Sequence, residues 1–198
     1  TFTITEPDEL VFSDVNFDPE TISCFGANDG EIGIDILGGT APYTYNWTLN
    51  SSPFSTNEDL TNLGPGDYSI SVSDANNCGA ITLDFTIIEP DLLEVSLDTK
   101  TDVICYGDAT GAIAVNVVGG RLDYNFSWTG PSGFTSPNQN IDNLIAGVYN
   151  LTVTDSSGCI DNLEVEILQN DEINIQVTTT EIECYGDNDA SITIDNIT

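Results

Sequence analysis

The fold is decided by residues Glu31–Leu49, which read EIGIDILGGTAPYTYNWTL. Apolar side chains alternate with polar or small ones on both sides of the Gly38-Gly39 pair. Those on one face are Ile32, Ile34 and Ile36, followed by Tyr43, Tyr45, Trp47 and Leu49. A period of two residues predicts half-buried β-strands. The glycine pair predicts a tight turn with positive φ between the two strands.

The same landmarks return about 80 residues later. Cys24-Phe-Gly is repeated as Cys105-Tyr-Gly and as Cys184-Tyr-Gly, at spacings of 81 residues (105 − 24) and 79 residues (184 − 105). A period of this length indicates one small domain per repeat. We expect a segment of a longer array. Its predicted parts are the end of a preceding repeat with its linker (residues 1–8), a first repeat (9–90), a second repeat (91–170) and the start of a third (171–198).

Alternation continues through both repeats and predicts an all-β protein made of tandem immunoglobulin-like β-sandwiches, with seven strands in each. Trp47 and Trp128 lie where such a sandwich has its core tryptophan. Gly66-Asp-Tyr68 resembles the tyrosine corner that precedes the penultimate strand. The linker around Glu89-Pro90 is short and contains proline, so we expect the repeats to be arranged end to end as a rod.

The chain is strongly acidic. It has 33 acidic residues and only two basic ones, Lys100 and Arg121, which gives a net charge of −31. Such a field repels nucleic acid and anionic membrane surfaces and attracts cations. No apolar run approaches the ~18 residues of a membrane span, so we expect no membrane insertion of this segment.

Catalysis is not expected. The chain contains no histidine, so an ordinary catalytic triad cannot be built and a serine nucleophile has no obvious base. A catalytic pair of carboxylates should be unique, whereas the acidic residues here recur in each repeat.

The ordered motifs resemble the SprB repeat. They are Cys-x-Gly, then Gly-Gly-Thr-Ala-Pro-Tyr-Thr-Tyr-x-Trp at residues 38–47, Leu-x-x-Gly-x-Tyr at 63–68 and Asp-x-x-x-Cys at 74–78, closed by a Glu-Pro linker. The second repeat has Arg121-Leu-Asp where the first has Thr40-Ala-Pro. The resemblance implies a very large bacterial cell-surface adhesin that is exported by type IX secretion. It further implies a filament that the gliding-motility machinery carries, and for this segment the role of a spacer.

Two ligand hypotheses remain open beside the spacer role. Carboxylates from a loop, a linker and a hairpin are expected to gather as a Ca²⁺ site, because Ca²⁺ accepts 6–8 oxygen ligands; these are Asp29, Glu89, Asp91 and Asp155. The alternative is that these carboxylates are only hydrated.

A carbohydrate-binding module that contacts surface polysaccharide is the alternative function, and it would use the aromatic residues after the loop cysteines, Phe25, Tyr106 and Tyr185.

The five cysteines predict disulfides in an oxidising, extracellular setting. Equal spacing within repeats suggests the pairs Cys24–Cys78 and Cys105–Cys159. Strand order favours Cys24–Cys159 instead, because a strand of about 23 Å separates Cys24 from Cys78, whereas bonded cysteines have Cα atoms within about 7 Å. Neighbouring repeats of the same chain are then the partners, and the intra-repeat pairs stay the alternative.

Overall fold

The computed structural model describes residue 2 and residues 5–182, 184–186, 188 and 190–197. Within these residues the chain is built of β-strands, apart from a single 3₁₀ turn at Pro131–Gly133. The strands of the first repeat are β1 (Val11–Phe17), β2 (Gly30–Leu37), β3 (Thr44–Leu49), β4 (Ser52–Ser55), β5 (Leu60–Leu63), β6 (Gly66–Ser73) and β7 (Ala80–Ile87). Those of the second repeat are β8 (Glu94–Thr101), β9 (Gly111–Val118), β10 (Asn125–Thr129), β11 (Thr135–Ser136), β12 (Ile141–Leu144), β13 (Gly147–Thr154) and β14 (Ile160–Ile167).

The first repeat is a sandwich of two sheets, with strand orders β1-β2-β5 and β4-β3-β6-β7. Its strand pairs are antiparallel. The ring of Phe85 lies 4.9 Å from that of Phe17 and 5.7 Å from that of Trp47, which joins the two sheets across the core. Side chains that alternate along the strands, such as Ile32 and Ile70, are fully buried. The alternation of apolar residues in the sequence therefore indicates which face of each strand is buried.

The second repeat has the same architecture, with strand orders β12-β9-β8 and β11-β10-β13-β14. Its core consists of the counterparts of the first repeat's buried residues, among them Ile113, Trp128, Leu151 and Val165. The predicted all-β, immunoglobulin-like class and the seven strands per repeat are confirmed.

Each repeat has a buried tryptophan and a buried tyrosine whose polar groups hydrogen-bond to backbone carbonyls. The indole N–H of Trp47 donates to the carbonyl of Asn57 at 2.9 Å, and that of Trp128 donates to Asn138 at 3.0 Å. The hydroxyls of Tyr68 and Tyr149 each donate, at 3.0 Å, to a carbonyl four residues upstream. These bonds form the tyrosine corner of each sandwich. Burial raises the pKa of both phenols.

The start of the third repeat forms a two-stranded antiparallel sheet of β15 (Ile175–Thr180) and β16 (Ser191–Ile197). Its apolar side chains are exposed, including Val177 and Ile194 at 53% and 57%. The pairing corresponds to that of β1 with β2, where Ile32 and Ile34 are buried.

The chain divides into two compact units that do not coincide with the predicted domain boundaries. The first unit consists of Thr1–Glu94, Val118–Tyr124 and Thr154–Asp161, and the second consists of Val95–Val117, Asn125–Val153 and Asn162–Thr198. Two loops of the second repeat therefore belong to the first unit. The boundaries at residues 9–90 and 91–170 stay a prediction from the repeat pattern.

Candidate functional site

The candidate site lies in the first compact unit, where the loop between β1 and β2 carries Cys24. Ile22 just before it is fully buried and fixes the loop on the core. The N–H of Ala27 donates to the carbonyl of Cys24 at 2.9 Å, and Gly26 has φ of +75°. The loop is thus a tight turn that requires glycine two residues after the cysteine.

Two carboxylates hold this loop in place. Glu89 accepts the backbone N–H of Gly26 through Oε2 at 2.8 Å. Asp29 accepts the N–H of Ser23 through Oδ1 at 3.1 Å. Hydrogen bonds from the hydroxyl and the N–H of Ser23 hold the pKa of Asp29 below its ordinary value. Both carboxylates therefore act as internal hydrogen-bond acceptors for the loop.

The second part of the site is the hairpin between β13 and β14, which is organised by Asp155. This side chain is only 3% exposed. Its Oδ1 accepts the N–H groups of Ser157 and Cys159, both at 2.9 Å, while Oδ2 accepts the N–H of Arg121 at 2.8 Å. Burial raises the pKa of Asp155, but the hydrogen bonds from Arg121, Cys159 and Ser157 outweigh it and leave the pKa lowered.

The same arrangement occurs at the β6–β7 hairpin of the first repeat. Asp74 accepts the N–H of Thr40 through Oδ2 at 3.1 Å and the N–H of Cys78 through Oδ1 at 3.2 Å. In both repeats the aspartate of the Asp-x-x-x-Cys motif therefore ties the loop after the Gly-Gly pair to the cysteine-bearing hairpin. An aspartate at the start of a hairpin favours an Asx-turn, but the sequence pattern does not predict the link to the second loop.

Cys24 and Cys159 form a disulfide, with Cα atoms 5.7 Å apart. They are separated by 135 residues in the chain. This is the pair that strand order favours. The intra-repeat alternatives Cys24–Cys78 and Cys105–Cys159 are absent, because Cys78 and Cys105 are free, exposed thiols, as is Cys184.

Arg121 lies beside the disulfide and makes three contacts with the chain segment before Cys24. Its Nη1 pairs with Glu20 Oε2 at 2.7 Å, and its Nη2 donates to the carbonyls of Glu20 at 2.7 Å and Ile22 at 3.2 Å. Sequence reasoning missed this contact. The signal was present, because the chain's only arginine stands where the second repeat departs from Thr40-Ala-Pro.

The four residues predicted to form a Ca²⁺ site do not form a cluster in the structure. Among the described residues, no group of three or more acidic or cysteine side chains is arranged to hold a metal ion. Asp29, Glu89 and Asp155 accept backbone N–H groups, and the carbonyl of Asp91 accepts the N–H of Gly120 at 2.8 Å. Three of the four predicted side chains thus accept backbone N–H groups, Asp29 and Glu89 in the loop that carries Cys24 and Asp155 in the β13–β14 hairpin. Ca²⁺ binding itself stays a prediction.

The aromatic residues proposed for carbohydrate contact are accessible. Phe25 and Tyr106 are 54% and 52% exposed, and Tyr185 is fully exposed. In the part of the chain that the structure describes, no helix is long and apolar enough to cross a membrane.

Comparison with solved structures shows the fold. The three N-terminal domains of the highly immunogenic outer capsid protein of bacteriophage RB49 match 95% of this chain and 70% of theirs, at 17% identity and a TM-score of 0.50. An I-band fragment of titin matches 84% of this chain and 66% of its own, at 12% identity and a TM-score of 0.51. Identities this low are evidence for tandem immunoglobulin-like domains alone.

Comparison with curated proteins finds no match. The family model of the SprB repeat matches two segments of the chain, residues 16–52 and 97–133. Each segment runs from the strand before the loop cysteine to a point just beyond the core tryptophan. The resemblance to the SprB repeat carried by the Cys-x-Gly and Gly-Gly motifs is therefore confirmed, over residues 16–52 and again over residues 97–133.

Proposed function

We propose that this chain is a non-catalytic spacer segment of a large bacterial surface adhesin that is exported by type IX secretion and used in adhesion and gliding. Tandem immunoglobulin-like domains with the SprB repeat support a structural, cell-surface role. The export route and the motility role rest on the family resemblance. The strong negative charge fits a surface that must stay soluble and repel its own neighbours.

The observation that carries the proposal is the Cys24–Cys159 disulfide. It encloses strands β2 to β13 in one covalent loop. A pulling force on the two ends of the chain therefore passes through the sulfur atoms and bypasses most of both sandwiches. A spacer that transmits force needs this property, whereas a ligand-binding domain does not.

Single-molecule pulling of the full chain tests the proposal. In the oxidised chain the disulfide closes a loop spanning 135 residues, which the pulling force cannot extend. This loop corresponds to roughly 450 Å of extended chain at about 3.3–3.6 Å per residue. We expect the oxidised chain to unfold with a contour-length gain shorter by this amount than the gain after reduction. Cys78→Ser is the matched control, because Cys78 is a free thiol, and it should leave both lengths unchanged. Equal lengths before and after reduction would contradict the force-bearing role.

A second candidate function is polysaccharide binding through Phe25 and Tyr106, whose exposure favours it. Exposed aromatic rings that are held within a rigid turn are suited to stacking on sugars. A screen of the full chain against surface polysaccharides tests this function. Saturable binding that is lost in Phe25→Ala together with Tyr106→Ala would favour the receptor role, and no binding would leave the spacer role alone.

The rod-like arrangement and the Ca²⁺ dependence are parts of the proposal that rest on sequence. Small-angle scattering of the full chain measures the first directly, and a compact globule would contradict it. A melting temperature that chelators leave unchanged would remove support for the second.

A further inference from the structure

Two of the free cysteines, Cys105 and Cys78, lie in the same local structures as the bonded ones. Cys105 precedes a turn like that of Cys24: the N–H of Asp108 donates to its carbonyl at 3.1 Å, and Gly107 has φ of +78°. The N–H of Gly107 donates to Gln169 Oε1 at 3.0 Å, which repeats the bond from Gly26 to Glu89. Cys105 is therefore held as Cys24 is held, although its thiol is free.

Cys78 is the counterpart of Cys159. Its N–H donates to Asp74 Oδ1 at 3.2 Å, as that of Cys159 donates to Asp155 Oδ1 at 2.9 Å. A cavity of about 350 Å³ lies beside Cys78, lined in part by Leu10 and Gly39. The first repeat thus presents a preformed hairpin cysteine next to open space.

Apolar side chains flank Cys105. Ile104 and Tyr106 on either side of it are 72% and 52% exposed, while Val103 just before them is buried. An exposed apolar pair around an exposed thiol on a rigid turn is a surface that fits a protein partner. The partner that fits it in this chain is the hairpin that Cys24 already binds, in another copy of the repeat.

We propose that every repeat of the array is cross-linked to the next by one disulfide, from the loop cysteine of one repeat to the hairpin cysteine of the following repeat. We call this series of disulfides the ladder and each of its bonds a rung; Cys24–Cys159 is one rung. Cys105 and Cys184 are the loop halves of further rungs, and Cys78 is the hairpin half of another. The inference rests on the proposed spacer function and specifies how the spacer is held together.

The chemistry of each rung needs an oxidant, which is a disulfide such as oxidised glutathione in the extracellular compartment. Two thiols lose their protons and two electrons and form one S–S bond, and the oxidant is reduced to two thiols. Thiol exchange of this kind proceeds through attack by a thiolate on a disulfide sulfur.

The ladder has a mechanical consequence. Successive bonds overlap along the chain, because each one starts at a loop cysteine that the preceding bond already encloses. The shortest covalent route through the array then uses every second bond: it leaves one bond at a hairpin cysteine, such as Cys159, and enters the next bond but one at the following loop cysteine, Cys184. This route contains β14 and β15, while β9 to β13 lie outside it.

The test is a chain in which residues 91–170 are duplicated in tandem, so that residue 170 is followed by a second copy of 91–170 and then by 171–198. The inserted copy carries Tyr106→Phe and Ile160→Val, so that its two cysteine peptides differ in mass from those of the original copy. The insertion adds one loop cysteine and one hairpin cysteine. After refolding with oxidised glutathione, we expect two disulfides in non-reducing peptide maps, Cys24–Cys159 and Cys105 to the Cys159 of the inserted copy. Free thiols should number three, as in the natural chain.

Any other partner for Cys105, or a free Cys105 in molecules that contain Cys24–Cys159, would overturn the ladder. The Cys24–Cys159 peptide in the same sample shows that the chain has folded, so a negative result is decisive. Cys105→Ser in the duplicated chain should free one additional thiol and leave Cys24–Cys159 intact. Failure of the ladder leaves the pulling experiment on the natural chain unaffected, so the two proposals fail separately.

Discussion

The carboxylate of Asp155 accepts the backbone N–H of Arg121 at 2.8 Å, and this bond joins two loops that lie 34 residues apart. The same carboxylate orients the N–H of Cys159. The arginine that contacts Glu20 and the cysteine that bonds Cys24 are therefore positioned by one buried side chain. Asp74 repeats the arrangement with Thr40 and Cys78 in the first repeat.

Replacement of Asp155 by alanine is expected to destabilise the protein by about 3 kcal/mol, because three N–H groups lose a charged acceptor in a buried setting. Urea unfolding of the oxidised chain measures the change in the free energy of unfolding. Asp98→Asn is a matched control, since Asp98 is exposed on β8, and its effect should stay within about 0.5 kcal/mol. A loss for Asp155→Ala as small as that of the control would contradict the positioning role.

The stabilisation from Asp155 depends on pH in a defined direction. Its pKa in the folded protein is lowered from the ordinary value of 3.8, so the folded state favours the ionised carboxylate. The contribution is complete above the unfolded-state pKa and is lost as the pH falls through the folded-state pKa. Melting temperatures measured from pH 7 down to pH 2.5 should therefore converge for the natural chain and Asp155→Asn at the acid end. A constant difference across this range would contradict the assignment.

The turn glycine Gly119 is expected to be irreplaceable. It has φ of +70°, and a Cβ there would overlap the carbonyl oxygen of Leu92. Gly107 is the matched control, because it has φ of +78° and no atom within 4 Å of the added Cβ. Gly107→Ala should cost about 1–2 kcal/mol for the left-handed backbone alone. Gly119→Ala should cost clearly more in the same urea experiment, and equal costs would show that the backbone clash is relieved.

Much of the fold follows from local pattern. Alternation predicted strands on both sides of Gly38-Gly39, and the structure has β2 at Gly30–Leu37 and β3 at Thr44–Leu49. Burial of Trp47 and Trp128 followed from their position among alternating apolar residues. Strand order also separated Cys24 from Cys78, because a strand has a fixed rise per residue and its two ends cannot meet.

The partners of individual acidic side chains could not be predicted. With 33 acidic residues in the chain, composition allows many pairings, and the choice depends on loop geometry that has no sequence period. Glu89 illustrates this, since a residue proposed as a metal ligand accepts the N–H of Gly26 at 2.8 Å. The counterpart Gln169 makes the same bond without a charge, which shows that the acceptor oxygen is what the turn requires.

This comparison leads to a test of Ca²⁺ at Glu89. If the side chain serves only as an acceptor, Glu89→Gln should retain the melting temperature to within about 2 °C, with or without calcium, because glutamine occupies the equivalent place in the second repeat. Glu89→Ala should lower the melting temperature in both conditions. A calcium-dependent stabilisation that is present in the natural chain and lost in Glu89→Gln would instead establish the carboxylate as a ligand.

The last prediction concerns the coupling between Arg121 and the disulfide. Arg121 donates to two backbone carbonyls just before Cys24 and pairs with Glu20, so it should hold the two cysteines near each other before they are oxidised. Arg121→Ala is expected to lower the equilibrium constant for closing Cys24–Cys159 against glutathione about tenfold, which corresponds to about 1.4 kcal/mol. Glu20→Gln keeps the backbone carbonyls and removes only an ion pair in which the Glu20 side chain is 58% exposed, so it should change the constant by threefold at most. The natural chain should lose little of its closing constant in 1 M salt, because the contacts to carbonyls are screened less than the exposed pair. An Arg121→Ala variant that closes the disulfide as readily as the natural chain would show that Asp155 and the hairpin alone position Cys159.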